Sequence, residues 1–142
     1  MRGKGKGMNI MKKFFIVVFM TLTLVSALSG CATKPPEKAQ YIDISVQQAK
    51  EMIDKGEVFI LDVRTQEEYN AGHIRNSTLI PVQDLSKRLN EVPRDRKILV
   101  YCRTGGRSAA ASEILVNNGF TRIYNMKGGI IEWTTAGYEV VK

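Results

Sequence analysis

Val58-Phe59-Ile60-Leu61 and Ile98-Leu99-Val100 are apolar at every position, and each run is only three or four residues long. A strand with one wet face alternates apolar and polar residues. An unbroken apolar run of this length belongs to a strand buried on both faces, the hallmark of a parallel sheet covered by helices. The same rhythm runs from Tyr41 onward. Tyr41-Ile42-Asp43-Ile44 reads as a short strand, and Ser45 with Gln48 as a capping box. Val46, Ala49 and Ile53 then share a helical face until Gly56. After the run at 58–61, Thr65 with Glu68 forms a second capping box whose helix stops at Gly72. Thr78-Leu79-Ile80 is a strand closed by Pro81, and a helix then places Leu85 and Leu89 on one face until Pro93. The strand at 98–101 leads to a helix over 109–118 that Gly119 terminates. Arg122-Ile123-Tyr124 is the next strand, and Gly128-Gly129 opens a last helix that sends Ile131 and Trp133 to the core. Repeated β-α units imply a single α/β domain, with a mainly parallel sheet, helices on both faces and right-handed crossovers. Ligands in such sheets bind beyond the carboxyl ends of the strands, where Cys102 and Asp62 both fall.

Between the strand at 98–101 and its helix stands Cys102-Arg103-Thr104-Gly105-Gly106-Arg107-Ser108. Gly105 and Gly106 permit positive φ, so consecutive N–H groups can turn inward as an anion-binding nest at the positive end of a helix. Arg107 offers forked donors to an oxyanion, and Arg103 can steer one to the mouth. All of these favour a thiolate. A buried cysteine after a strand is often only a small hydrophobe; the flanking glycines and arginines argue against that here. Cys102 is therefore the candidate nucleophile. Arg103, Thr104, Gly105, Gly106, Arg107 and Ser108 are the candidate anion cradle.

The amino-terminal stretch has a different logic. Arg2, Lys4, Lys6, Lys12 and Lys13 precede an almost wholly apolar segment at 14–28, with no acid among them. That is the pattern of a secretory leader, whichever of Met1, Met8 or Met11 is the start. As a helix the apolar segment would span ~22 Å against a hydrocarbon core of ~30 Å, too short for a comfortable crossing. Leu28-Ser29-Gly30-Cys31 follows in register and resembles the lipobox of bacterial lipoproteins. The resemblance implies cleavage before Cys31, a diacylglyceryl group on its sulfur and further fatty acylation such as palmitate. Residues 1–30 are thus expected to be a signal peptide, and 31–40 a lipidated cysteine and tether containing Pro35-Pro36. Residues 41–142 form the domain, and the whole is expected to be exported and held at a membrane face. The five leader cations account for most of the formal charge of +7 and leave +2 without them. A nucleic-acid partner is not expected. Of two cysteines, one is then lipidated and Cys102 is the only free thiol. There is no Cys-x-x-Cys pair, a single histidine (His73), and no ligand cluster, so neither metal nor cofactor is expected.

Three stretches in order, Leu61-Asp62-Val63-Arg64-Thr65 with Glu68-Tyr69 and Gly72-His73-Ile74, the cysteine loop, and Lys127-Gly128-Gly129-Ile130 with Trp133, resemble the rhodanese homology domain. The resemblance implies a five-stranded, mainly parallel sheet flanked by helices. It also implies a sulfurtransferase whose cysteine, Cys102 here, takes sulfane sulfur from a thiosulfate-like anion and passes it as a persulfide to a thiol or cyanide-like acceptor. A persulfide carrier serving a partner protein is the alternative. The closing arginine stands at Cys-x4-Arg, which resembles the sulfurtransferase branch and disfavours the Cys-x5-Arg chemistry of phosphatases and arsenate reductases. On this reading Asp62 and Arg64 bond each other or nearby backbone, Glu68 is accounted for by its cap, and His73 supports the fold.

Overall fold

The computed structural model describes residues 40–142. The expected signal peptide at 1–30, Cys31 and the expected tether as far as residue 39 lie outside the described residues. Five strands alternate with helices: β1 (Ile42–Ile44), α1 (Val46–Asp54), β2 (Val58–Asp62), α2 (Gln66–Ala71), β3 (Thr78–Leu79), α3 (Val82–Leu85), β4 (Lys97–Tyr101), α4 (Gly106–Asn117), β5 (Ile123–Met126) and α5 (Gly129–Thr135). They form one sheet in the order β1-β5-β4-β2-β3. Every neighbouring pair is parallel, with Ile60 opposite Leu99 and Leu99 opposite Tyr124 through its centre.

The side-chain period of two splits the strands between two cores. Ile98, Val100 and Cys102 join Leu61, Leu85, Ala111 and Leu115 under α3 and α4. Leu99 and Tyr101 join Val46, Ala49, Ile130 and Trp133 under α1 and α5. Both capping boxes are formed, Ser45 with Gln48 and Thr65 with Glu68. Each satisfies two backbone donors that a helix start leaves without partners. Tyr101 is fully buried. Its hydroxyl accepts the Ile74 N–H at 3.1 Å and meets Ser77 Oγ at 3.2 Å, which ties the segment after α2 to the central strand.

Three local expectations are corrected. The single helix carrying Leu85 and Leu89 is instead a four-residue helix followed by a 3-10 turn at Leu89–Glu91. The bonds Lys87 N–H to Asp84 O, Arg88 N–H to Leu85 O and Val92 N–H to Leu89 O all reach back three residues. The segment thus winds too tightly for one 3.6-residue face. Helix α4 begins at Gly106, three residues earlier than expected, so Arg107 and Ser108 belong to its first turn. On α5 it is Ile130, not Ile131, that is buried beside Trp133; Ile131 faces solvent.

Candidate active site

Cys102 follows β4 at its carboxyl end and is 1 % exposed. The loop that contains it turns back sharply. Gly105 lies at φ 107°, the left-handed region that only glycine enters without strain, and serves as the N-cap of α4. This aims the Gly105 N–H at Cys102 Sγ, 3.1 Å away. Gly106 adopts ordinary helical geometry, so the nest rests on one left-handed residue and not two. Burial pushes the Cys102 thiol up. Against it stand the Ser108 hydroxyl and the N–H groups of Ser108, Gly105 and Thr104, which together win and hold the thiol below its ordinary value. The reason is that hydrogen bonds to the charged form favour it, most strongly where water is excluded.

The loop is clamped from behind. Ile130 N–H donates to Cys102 O at 2.9 Å and Ile131 N–H to Arg103 O at 3.2 Å. Gly129, at φ 58°, makes this possible, because a Cβ there would stand 2.4 Å from Arg103 O. The β5–α5 turn therefore presses directly against the backbone of the cysteine loop.

The arginines behave differently from one another. Arg103 is exposed. The Arg107 guanidinium is gripped by Glu68 through Nη1 to Oε2 and Nη2 to Oε1, both at 2.7 Å. Its charge also lies close enough to Cys102 and Asp62 for each to favour the guanidinium's charged form. Glu68 therefore has a second task beyond its cap: Oε2 also accepts the Thr65 N–H at 3.0 Å. Chiefly through its bonds to Arg107, the Glu68 carboxyl is held down at about 2. One carboxylate thus joins the start of α2 to the first turn of α4 and fixes the plane of Arg107, leaving three of the guanidinium's five N–H donors for other partners. This pairing spans 39 residues and left no local trace in the sequence. Only the adjacency of β2 and β4, whose following loops must meet, could have suggested it.

Asp62 and Arg64 do pair, with Nη2 to Oδ2 at 2.6 Å and Nε to Oδ1 at 3.0 Å, both side chains buried. Arg64 Nη2 also donates to Gly72 O at 2.8 Å, so its cation is spent on holding the exit of α2. His73 stacks on Tyr69 with ring centroids 3.7 Å apart, and its Nδ1 lies 3.0 Å from Tyr69 O. Its backbone forms an antiparallel bridge with Val141. Its contacts are those of fold support. No three potential metal-ligating side chains cluster among the described residues.

A fully parallel sheet with one buried thiol in a ring of N–H donors at the carboxyl end of its central strand defines a cysteine-centred anion site. The chain belongs to the rhodanese family: the model of the Rhodanese-like domain matches residues 45–136. It is 34 % identical over 93 residues to a sulfurtransferase of Allochromatium vinosum, covering 66 % of this chain and 87 % of that protein. It is 35 % identical over 99 residues to the thiosulfate sulfurtransferase GlpE of Pseudoalteromonas translucida, covering 70 % of this chain and 94 % of that one. A rhodanese-related protein from Thermoplasma volcanium superposes with a TM-score of 0.67 at 39 % identity, over 71 % of this chain and 98 % of that structure. Sulfur transfer is the class of chemistry that these relationships support.

Proposed function

We propose that this chain is a membrane-anchored sulfurtransferase acting outside the cytoplasm, with Cys102 as its nucleophile and thiosulfate or a related anion as its donor. The supporting observation is the Gly105 N–H at 3.1 Å from Cys102 Sγ, within a set of donors that favours the thiolate. In the first step the Cys102 thiolate attacks the outer sulfur of thiosulfate. An S–S bond forms to Cys102, the S–S bond of thiosulfate breaks, and its electron pair leaves with sulfite. The persulfide anion so formed is the same charge as the thiolate, and the inward N–H groups stabilise both. A thiol or cyanide then attacks the outer sulfur, and the thiolate is regenerated as leaving group. One difficult transfer becomes two easier ones. Thr104, Gly105, Gly106 and Ser108 form the cradle, Arg107 meets the sulfonate oxygens with the donors Glu68 leaves it, and Arg103 draws the dianion to the mouth. Acyl chains on Cys31 hold the enzyme at the membrane.

Incubation of the protein with thiosulfate, followed by intact mass and peptide mapping, tests the reading. The expected result is a gain of one sulfur atom on the peptide containing Cys102, discharged by cyanide as thiocyanate. Wild-type levels of thiocyanate from Cys102→Ser would overturn it.

A further inference from the structure

Because every neighbouring strand pair is parallel, the sheet has one end where strands begin and one where they finish. The cysteine loop occupies the finishing end. The beginning end is basic. Lys55 precedes β2, Arg94 and Arg96 precede β4, Lys97 opens it, and Arg122 precedes β5. Lys55 and the three arginines are exposed. Of these five, only Lys97 meets a carboxylate among the described residues, that of Glu57 at 2.5 Å. Each arginine is instead held by a backbone carbonyl: Arg94 by Asn118 O at 3.0 Å, Arg96 by Val58 O at 2.9 Å, and Arg122 by Asp95 O. Arg94 also lies over the Phe120 ring, 4.2 Å from its centroid. These contacts fix the guanidinium groups without neutralising them. The nearby acids Asp54 and Glu91 are matched by Lys50 and Arg88. Glu57 and Asp95 against five cations leave the starts of β2, β4 and β5 at +3, with Asp43 and Glu113 lying off to the β1 side near Tyr41; residues 41–142 as a whole, with fourteen Lys and Arg and thirteen Asp and Glu, carry only +1.

The chain itself enters at this end. Ile42, the first residue of β1, pairs with Tyr124 near the start of β5. Gln40 and Tyr41, which lead into β1, therefore stand on the basic side of the domain. We infer that the beginning end of the sheet is a docking face for an anionic phospholipid surface, with the cysteine loop held on the far side facing water. The inference takes its tether from the proposed anchor at Cys31. Residues 32–40 reach at most ~30 Å, so the domain stays beside the bilayer. Two or three acyl chains already give stable attachment, and the basic face then decides orientation more than affinity. Its attraction acts over a Debye length of about 8 Å at physiological salt. Along β4 the cysteine loop stands ~17 Å further out, beyond that range. Donor and acceptor accordingly arrive from the aqueous side.

Lysine footprinting tests this orientation. The chain is purified in detergent from membranes of cells that express it and reconstituted on vesicles of phosphatidylcholine, with or without phosphatidylglycerol. A water-soluble amine-acylating reagent is applied, and modification of Lys55 and Lys127 is read by mass spectrometry. On anionic vesicles Lys55 is expected to react at least about fivefold more slowly than on neutral ones, recovering in 1 M salt, while Lys127 is unchanged. The triple variant R94Q/R96Q/R122Q should lose the shielding. The variant R94K/R96K/R122K, which keeps the charge and gives up the guanidinium bonds, should retain it. Shielding of Lys127 instead, equal shielding on neutral vesicles, or loss in the lysine variant as well would overturn the proposal. So would shielding of Lys55 by a short DNA duplex but not by vesicles. A chain that fails to float with neutral vesicles yet shields Lys55 on anionic ones would refute the Cys31 anchor and leave the face standing.

Discussion

Replacing Glu68 by Gln removes one charge from the clamp between α2 and α4 while keeping an amide oxygen for the Thr65 N–H. The carboxyl falls from an ordinary 4.5 to about 2 in the folded protein. Taken at face value, that difference is worth about 3 kcal/mol at neutral pH. Glu68 is 27 % and Arg107 37 % exposed in their side chains, so solvent screens the pair. A discounted loss of ~1–2 kcal/mol is expected for Glu68→Gln. The pH dependence has a definite sign. The folded-state value lies below the unfolded one, so the contribution is complete above about pH 4.5 and is lost as pH falls toward about 2. Urea unfolding of wild type and variant, run at pH 7, 5 and 3, should show a constant gap down to pH 5 and roughly half of it at pH 3. Adding Arg107→Ala and the double variant closes a thermodynamic cycle whose coupling should account for most of that gap. A loss at pH 7 below about 0.3 kcal/mol, or a gap unchanged at pH 3, would refute the claim that this ion pair holds the two elements together.

Further outcomes follow from the same contacts. Gly129→Ala places a Cβ 2.4 Å from Arg103 O at a left-handed backbone position; a destabilisation of ~2–4 kcal/mol and loss of sulfur transfer are expected, measured by urea melts and thiocyanate production. Iodoacetamide alkylation of Cys102 should titrate below the thiol's ordinary 9.0, and Ser108→Ala should move the midpoint up. An unmoved midpoint would remove Ser108 from the cradle. Cys31→Ala should leave a larger precursor that takes up no labelled fatty acid; a wild-type protein that keeps its leader and lacks acyl mass on Cys31 would overturn the anchor.

Most of the architecture was legible because it is written in local code. Both capping boxes, the apolar runs of β2 and β4 and the glycine stops depend on residues within a turn of one another, and all of them stand in the structure. The hydrogen bonding around the Cys102 sulfur was legible for the same reason, since Thr104, Gly105 and Ser108 lie at most six residues away along the chain. What escaped depends on tertiary placement. Glu68 could be seen as a cap but not as the partner of Arg107, because nothing along the chain connects the two positions. Ile130 and Ile131 are chemically identical neighbours, and it is the tertiary bonding of their amides to the carbonyls of Cys102 and Arg103 that sets the phase of α5 burying the first. Leu85 and Leu89 have helical spacing, yet a 3-10 winding carries them onto the same core.

The hydrogen bonds behind the cysteine loop also decide the sign of what the loop will accept. The carbonyls of Cys102 and Arg103 are taken by the amides of Ile130 and Ile131, and that of Gly105 by the Ala109 N–H. The sulfur is surrounded by donors, while these acceptors point elsewhere. A thiophilic metal ion approaching Cys102 would find a single soft ligand, those carbonyl oxygens already occupied, and His73 stacked away on Tyr69. The same wiring that welcomes an anion thus discourages a cation. A lone thiolate would otherwise be readily poisoned by such an ion, and here the backbone itself provides the protection.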